Sequence, residues 1–328
     1  MGSFISKLGF LPSNPVFTVD QISDLSGQVV IVTGGNTGIG KATCKALLEK
    51  NAKVYLAARS KTKADEAIEW LKAETGGKTA VFLQLDLASL VSVRKAVEEF
   101  KSNEHELHVL FNNAGIVIPP IDQRTVEGYD LSFGTNVLGH FFLTVLLLPT
   151  LIRTAKESPT ARGHARVINT SSGAMWYPPK GGIVWETLGT DGASLAACKR
   201  LGRPSLYAQS KLGNVLFSNE LARRYTNQGI VSVSLHPGAI KTDMMRYVPI
   251  PNWLKNLIMN LFYYPASQGA LTQLYAGTTP NPEDLNGKFL VPWAKVGDPG
   301  QTAKDESLAG KLWAWCEEQI GLFERKME

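Results

Sequence analysis

Val29-Val30-Ile31-Val32-Thr33-Gly34-Gly35-Asn36-Thr37-Gly38-Ile39-Gly40 is the stretch whose reading decides the fold. A short β-branched run without polar alternation predicts a strand buried on both faces, as in a parallel sheet. The glycines that follow allow a tight turn and close backbone approach to a ligand. Lys41 to Lys50 then carries Ala42, Ala46 and Leu47 at helical spacing, so a helix starts near Gly38. Its first N–H groups and positive dipole end face the turn. Strand, glycine turn and helix in that order predict a dinucleotide pyrophosphate site contacted by Gly34, Asn36, Thr37, Gly38, Ile39 and Gly40.

Outward from this unit the rhythm repeats. Strands are predicted at Val54 to Ala58, Val81 to Leu85, from Val109, at Val167 to Thr170 and at Val231 to Leu235. Helices are predicted at Ala64 to Ala73, Val91 to Phe100, within Leu131 to Arg153, and at Tyr207 to Tyr225. Alternation of this kind predicts an α/β fold, a doubly wound parallel sheet (Rossmann fold) built from right-handed crossovers. One domain over residues 27–292 is the economical division, with an N-terminal extension (1–26) and a C-terminal extension (293–328). Trp313, Trp315 and Phe323 mark a docking helix in the latter.

Two segments break the rhythm, Gly173 to Pro204 and Lys241 to Tyr264. Both follow strand ends, where ligands bind in such sheets. Trp176, Tyr177, Trp185, Met244, Met245, Trp253, Phe262 and Tyr263 make them candidate walls of an apolar substrate pocket.

The second strand ends Leu56-Ala57-Ala58-Arg59-Ser60. An acid about 20 residues past the glycines would bond an adenosine ribose hydroxyl, whereas an arginine accommodates a 2′-phosphate. Arg59 is present, no acid is, and Lys41 and Lys63 add positive charge. The expected cofactor is NADP(H).

Ser205-Leu206-Tyr207-Ala208-Gln209-Ser210-Lys211 places a phenol and an ammonium at i and i+4 of a helix. Such residues are neighbours on one face. A nearby cation favours the phenolate, and moving a tyrosine from about 10 to about 7 takes roughly 4 kcal/mol, expected from the lysine together with a cationic cofactor ring. The expectation is a general acid/base working near neutral pH.

At 328 residues and 44% hydrophobic, the chain has ample core-forming material. The net charge of +5 is dispersed without a Lys/Arg block, which argues against nucleic acid as a partner. Three scattered cysteines, Cys44, Cys198 and Cys316, form neither a disulfide framework nor metal-ligand spacing. They point to a reducing, cytoplasmic compartment. No uninterrupted stretch of roughly 20 apolar residues predicts a spanning helix. Phe4, Ile5, Leu8 and Phe10 are expected to pack on the body. His105 and His108 are read as a solvated turn.

Taken together these residues resemble the short-chain dehydrogenase/reductase family over roughly Gly27 to Pro292. Four motifs match in order: Thr33 to Gly40, Asn112-Asn113-Ala114-Gly115, a serine after the fifth strand, and Tyr207 to Lys211. The nearest likeness is to the NADPH-linked retinol-dehydrogenase-like branch, which includes many fungal reductases of secondary metabolism. The resemblance implies that Ser172, with Ser171 as the neighbour it can be confused with, bonds a substrate carbonyl. It implies that Tyr207 moves the proton, that Lys211 bonds the nicotinamide ribose, and that Asn136 supports the relay. Asp86 and Leu87 fall near the adenine, and Asn113, Ala114 and Gly115 line the adenosine side. Pro237, Gly238, Ile240 and Thr242 fall in the segment facing the nicotinamide carboxamide.

One departure stands out: Ser172 and Tyr207 are 35 positions apart, whereas compact members have far fewer. The resulting expectation is carbonyl–alcohol interconversion on a bulky apolar small molecule, with no metal. Rival readings are a double-bond reductase on the same scaffold and a non-catalytic NADPH sensor. The family is often oligomeric, and the apolar run Phe141 to Ile152 is a candidate helix interface.

Overall fold

A computed structural model describes residues 14–240 and 264–327. Phe4, Ile5, Leu8 and Phe10, and Lys241, Thr242, Met244, Met245, Trp253, Phe262 and Tyr263, lie outside the described residues.

The first strand, β1 (Val29–Thr33), is buried along its whole length. Its alternate side chains serve two cores: Val29 and Ile31 join one, Val30 and Val32 the other. Period-two alternation between two apolar layers is what a doubly wound sheet requires. Around it lie β2 (Lys53–Ala58), β3 (Val81–Gln84), β4 (Val109–Asn112), β5 (Ala165–Thr170), β6 (Ile230–Leu235), β7 (Phe289–Val291) and β8 (Lys295–Gly297). The order is β3-β2-β1-β4-β5-β6-β7-β8, parallel except for the β7–β8 pair. Strand order reverses between β1 and β4, the switch point at which a ligand crevice opens.

Helices α1 (Gly38–Glu49), α2 (Lys61–Glu74) and, later in the chain, Ala266–Thr278 cover the face that buries Leu47, Leu71 and Leu274. The other face carries α3 (Leu90–Asn103) and α4 (Leu131–Glu157), which bury Phe100 and Leu147. Residues Gly134–Gly139 of α4 are wound as a π-helix. By length and apolarity α4 is the one helix among the described residues that qualifies as a membrane span, yet 78% of its most apolar window is buried in the protein. It is a core helix.

Gly173 to Pro204 is not irregular throughout. It contains α5 (Gly192–Leu201), whose first turn is capped by Asp191 accepting from the Ser194 N–H at 2.9 Å. Asp before a run of good helix formers was the available signal. Next comes α6 (Arg203–Tyr225), buried almost without interruption from Leu206 to Ser218. The Ala266–Thr278 helix (α7) and strands β7 and β8, none of them marked by strong periodicity, complete the sheet and extend it past Pro292.

Near the C-terminus, α8 (Glu306–Met327) packs on α6 and α4. The Trp313 ring lies 4.8 Å from Phe141 edge-on, and Phe323 lies 5.8 Å from Phe142. Within the run Phe141 to Ile152, the chain's own C-terminal helix covers Phe141 and Phe142. His108 departs from the solvated turn expected of it. It is buried, its Nδ1 accepts from the Val29 N–H at 3.1 Å, and its Nε2 lies 2.7 Å from the Thr160 hydroxyl. That ring pins the start of β1 to the loop before β5.

Trp313 is 2% exposed and also touches Phe217, Tyr225 and the Arg224 guanidinium. Trp313→Ala is expected to lower stability by about 3–5 kcal/mol, read by denaturant unfolding. A loss below about 1 kcal/mol would show that α8 is not part of the cooperative core.

Candidate functional site

A cavity of about 810 Å³ opens at the switch point. Its lining includes Gly34, Asn36, Thr37, Gly38, Ile39, Gly40, Arg59, Lys63, Asp86, Leu87, Asn113, Ala114, Gly115, Ser172, Tyr207, Lys211, Pro237, Gly238 and Ile240. Residues separated by up to two hundred positions are thus brought to one crevice. Asn136 is the exception: it is fully buried behind the wall.

The glycine turn fits a dinucleotide. Gly38 has φ +52°, which a side chain would strain. A β-carbon on Gly40 would lie 2.2 Å from the Gly34 carbonyl oxygen, so α1 meets the turn only without one. No side chain caps the first turn of α1, whose N–H groups have no intrahelical partner. They are left for an anionic ligand.

Thr33, at the end of β1, ties this turn to the rest. Its hydroxyl oxygen accepts from the N–H groups of Asn113 (2.9 Å) and Ala114 (3.0 Å) and lies 2.9 Å from His140 Nε2. His140 Nδ1 lies 3.1 Å from the Asn136 carbonyl oxygen, which can only accept. The proton therefore sits on Nδ1, which leaves Nε2 as an acceptor; the one Thr33 hydroxyl proton has both this nitrogen and the Phe111 carbonyl oxygen, at 3.2 Å, within reach. Burial drives the His140 pKa down to about 4, with the Asn136 carbonyl opposing the shift. Nothing in the local sequence marks this ring, which connects the cofactor side to Asn136.

The Asn136 side chain is held from three directions. Its Oδ1 accepts from the Ile116 N–H (2.8 Å), and its Nδ2 donates to the Ile116 carbonyl (3.1 Å) and the Ser210 hydroxyl (3.0 Å). A β-carbon placed on Gly115 would stand 3.2 Å from Lys211 Nζ and 3.3 Å from Asn136 Oδ1. Gly115 is what allows the two groups to flank the same point.

The two serines after β5 separate by geometry. Ser171 is turned inward, its hydroxyl donating to the Lys211 carbonyl at 2.6 Å. Ser172 lines the cavity together with Tyr207 and favours the ionised form of the phenol. His236 holds this corner: its Nδ1 accepts from the Gly173 N–H at 3.0 Å, and Trp176 packs edge-on against its ring.

Lys211 by itself does not bring the Tyr207 pKa down; the expectation joins it to a cationic cofactor ring. Burial pushes the Tyr207 pKa up to about 12, while Ser172 opposes the shift. Burial brings Lys211 down to about 8. The ammonium lies 6.0 Å from the Tyr207 ring centroid and donates to the Thr170 carbonyl at 3.0 Å. Lysine proximity does not offset desolvation of the phenol. In this arrangement Tyr207 holds its proton at neutral pH.

No residue of Gly173 to Pro204 lines the cavity, contrary to their expected role as its wall. Trp176 packs on His236 and Phe289, and Trp185 lies under the Lys311 ammonium. The wall beyond Ser172 comes instead from Ile116, Val117, Gln123, Leu131 and Thr135. Among the described residues no group of three or more His, Cys, Asp or Glu side chains is placed to hold a metal.

The short chain dehydrogenase family model matches residues 28–187. A short-chain dehydrogenase/reductase of Armillaria gallica is 51% identical over 97% of this chain and 97% of its own length. The chain belongs to the short-chain dehydrogenase/reductase family. Retinol dehydrogenase 11 of Homo sapiens is 35% identical, over 91% of this chain and 87% of its own, which places the chain in the retinol-dehydrogenase-like branch. A solved structure from Mycobacterium paratuberculosis superposes with a TM-score of 0.69 at 30% identity, over 92% of this chain and 96% of that one. Members of this family are oxidoreductases that use a nicotinamide dinucleotide, and the glycine cradle fits one.

Gly40→Ala is expected to abolish dinucleotide binding, measured by titration calorimetry; wild-type affinity in the variant would contradict the cradle. A second expectation concerns pH. His140 binds its proton at about 4 when folded against 6.5 unfolded, so the unfolded state takes up the proton first as pH falls. Its contribution to stability is complete above pH 6.5 and is lost progressively toward pH 4, on the order of 3 kcal/mol. Melting temperatures of wild type and His140→Gln across this range should converge as pH falls, and parallel curves would refute the assignment.

Proposed function

We propose that this protein is an NADPH-dependent reductase that interconverts a carbonyl and an alcohol on a bulky, largely apolar small molecule. The observation that carries the reading is that Tyr207 is buried and lines the same cavity as Ser172, with Lys211 one helical turn away. When bound, the dinucleotide supplies the hydride.

The chain's own residues do the rest. Tyr207, protonated at neutral pH, donates to the substrate oxygen as charge develops there. Ser172 lies beside it and offers a second hydrogen bond to that same oxygen. A donor that keeps its proton until the reaction demands it suits the reducing direction. Lys211 and Asn136, facing each other across Gly115, stand where the proton lost by Tyr207 can be replaced. The crevice sits between α1 and the ends of β4 and β5, so the glycine cradle and Tyr207 face one continuous space.

Arg59, Lys41 and Lys63 support NADPH over NADH, because no acid stands at the end of β2 to bond a free ribose hydroxyl. Ile116, Val117 and Leu131 give the substrate end its apolar character. The three cysteines are buried and free, which fits the reducing conditions of the cytoplasm.

NADPH oxidation is to be followed against a panel of bulky apolar ketones and aldehydes. Tyr207→Phe should lower turnover by about 10² or more, with dinucleotide affinity kept within a few-fold. Equal turnover by wild type and Tyr207→Phe would remove the acid/base role. Faster turnover of small polar carbonyls would remove the substrate class.

A further inference from the structure

The adenosine end of the cavity gathers three cations. Lys41 on α1, Arg59 after β2 and Lys63 on α2 all line it. Among the described residues no carboxylate pairs with any of the three. On the same two helices Lys45 is paired with Glu49 and Lys61 with Asp65, both at i,i+4. Lys72 on α2 has no such pair either, so what sets Lys41, Arg59 and Lys63 apart is that all three line one cavity. Two acids, Glu66 and Asp86, also line the cavity, and neither forms an ion pair with Lys41, Arg59 or Lys63.

Lys41 is held in an unusual way. Its ammonium lies 3.9 Å above the centroid of the Trp70 ring, across the packed pair α1 and α2. Trp70 is 37% exposed and belongs to neither apolar core, so packing alone does not account for a tryptophan there. An indole face is the best aromatic platform for a cation. Contact on one side leaves the ammonium's remaining N–H donors directed elsewhere. A lysine stem free in solvent loses considerable rotamer freedom when its head group is fixed on a ligand. Trp70 removes part of that loss in advance.

We infer that Trp70 is a positioning residue for cofactor discrimination: it holds the Lys41 ammonium beside Arg59 and Lys63 so that the three together receive the adenosine 2′-phosphate. This rests on the NADPH reading and names how that preference is built. The dianionic phosphate supplies the counter-charge that the protein withholds from this corner.

The test is calorimetric and needs no turnover. 2′,5′-ADP and 5′-AMP differ only in the 2′-phosphate, and both are titrated into wild type, Lys41→Met, Trp70→Leu and Trp70→Phe of the full chain. Wild type should prefer 2′,5′-ADP by at least about tenfold, as a charge-assisted contact to phosphate predicts. Lys41→Met should lose most of that preference. Trp70→Leu should weaken 2′,5′-ADP by about two- to five-fold, the size of an exposed cation–π contact, and leave 5′-AMP unchanged. Trp70→Phe, which keeps a ring face, should fall between Trp70→Leu and wild type. Equal weakening of both ligands by Trp70→Leu would show a general structural role and overturn the inference. No weakening of either would overturn it as well. If wild type itself fails to distinguish the two ligands, the NADPH reading falls first and the role of Trp70 falls with it.

Discussion

The site depends on a reciprocal tie between α6 and the end of β5. Lys211 Nζ donates to the Thr170 carbonyl, and the Ser171 hydroxyl donates back to the Lys211 carbonyl. Asn214, one turn on, donates to the same Thr170 oxygen. A buried ammonium is costly unless its donors are met. A strand end whose carbonyl points at the helix supplies that partner. With the backbone of residues 170 and 171 committed inward, Ser172 is left facing the cavity, on the side where α6 presents Tyr207. The catalytic candidates are neighbours because the structural residues beside them are already occupied.

A second tie reaches the other half of the crevice. Thr33 gathers the backbone of Asn113 and Ala114 and reaches His140, and His140 bonds the carbonyl of Asn136. The ring sits immediately after the π-wound turn of α4, a winding often found at functional positions. Because burial keeps His140 neutral, one edge of the ring donates and the other is left as an acceptor. The glycine cradle and the proton-handling end are thereby mechanically continuous, although they lie on different strands.

The apolar helices behind the site are closed from within. Phe141, Phe142 and Phe217 would form an exposed aromatic face on α4 and α6 without α8; Trp313 and Phe323 cover it. Burying α6 on both sides fixes the position of Tyr207 and Lys211, since a helix packed between the sheet and α8 has little freedom to rotate. The C-terminal segment thus contributes to the site without touching the cavity.

The order of strand, glycine turn and helix, the doubly wound class and many of the residues that line the cavity were legible in the sequence, because they rest on local periodicity and on short motifs. Strands β7 and β8 were not legible, being three residues each and paired only through distant partners. Nor was α5, whose signal lay in a cap and not in apolar spacing. The inward turn of Ser171, the raised pKa of Tyr207, the neutral His140 and the seat of Lys41 on Trp70 were decided by tertiary structure alone. Each depends on which groups are removed from water together, and that is settled by packing between segments far apart in the chain.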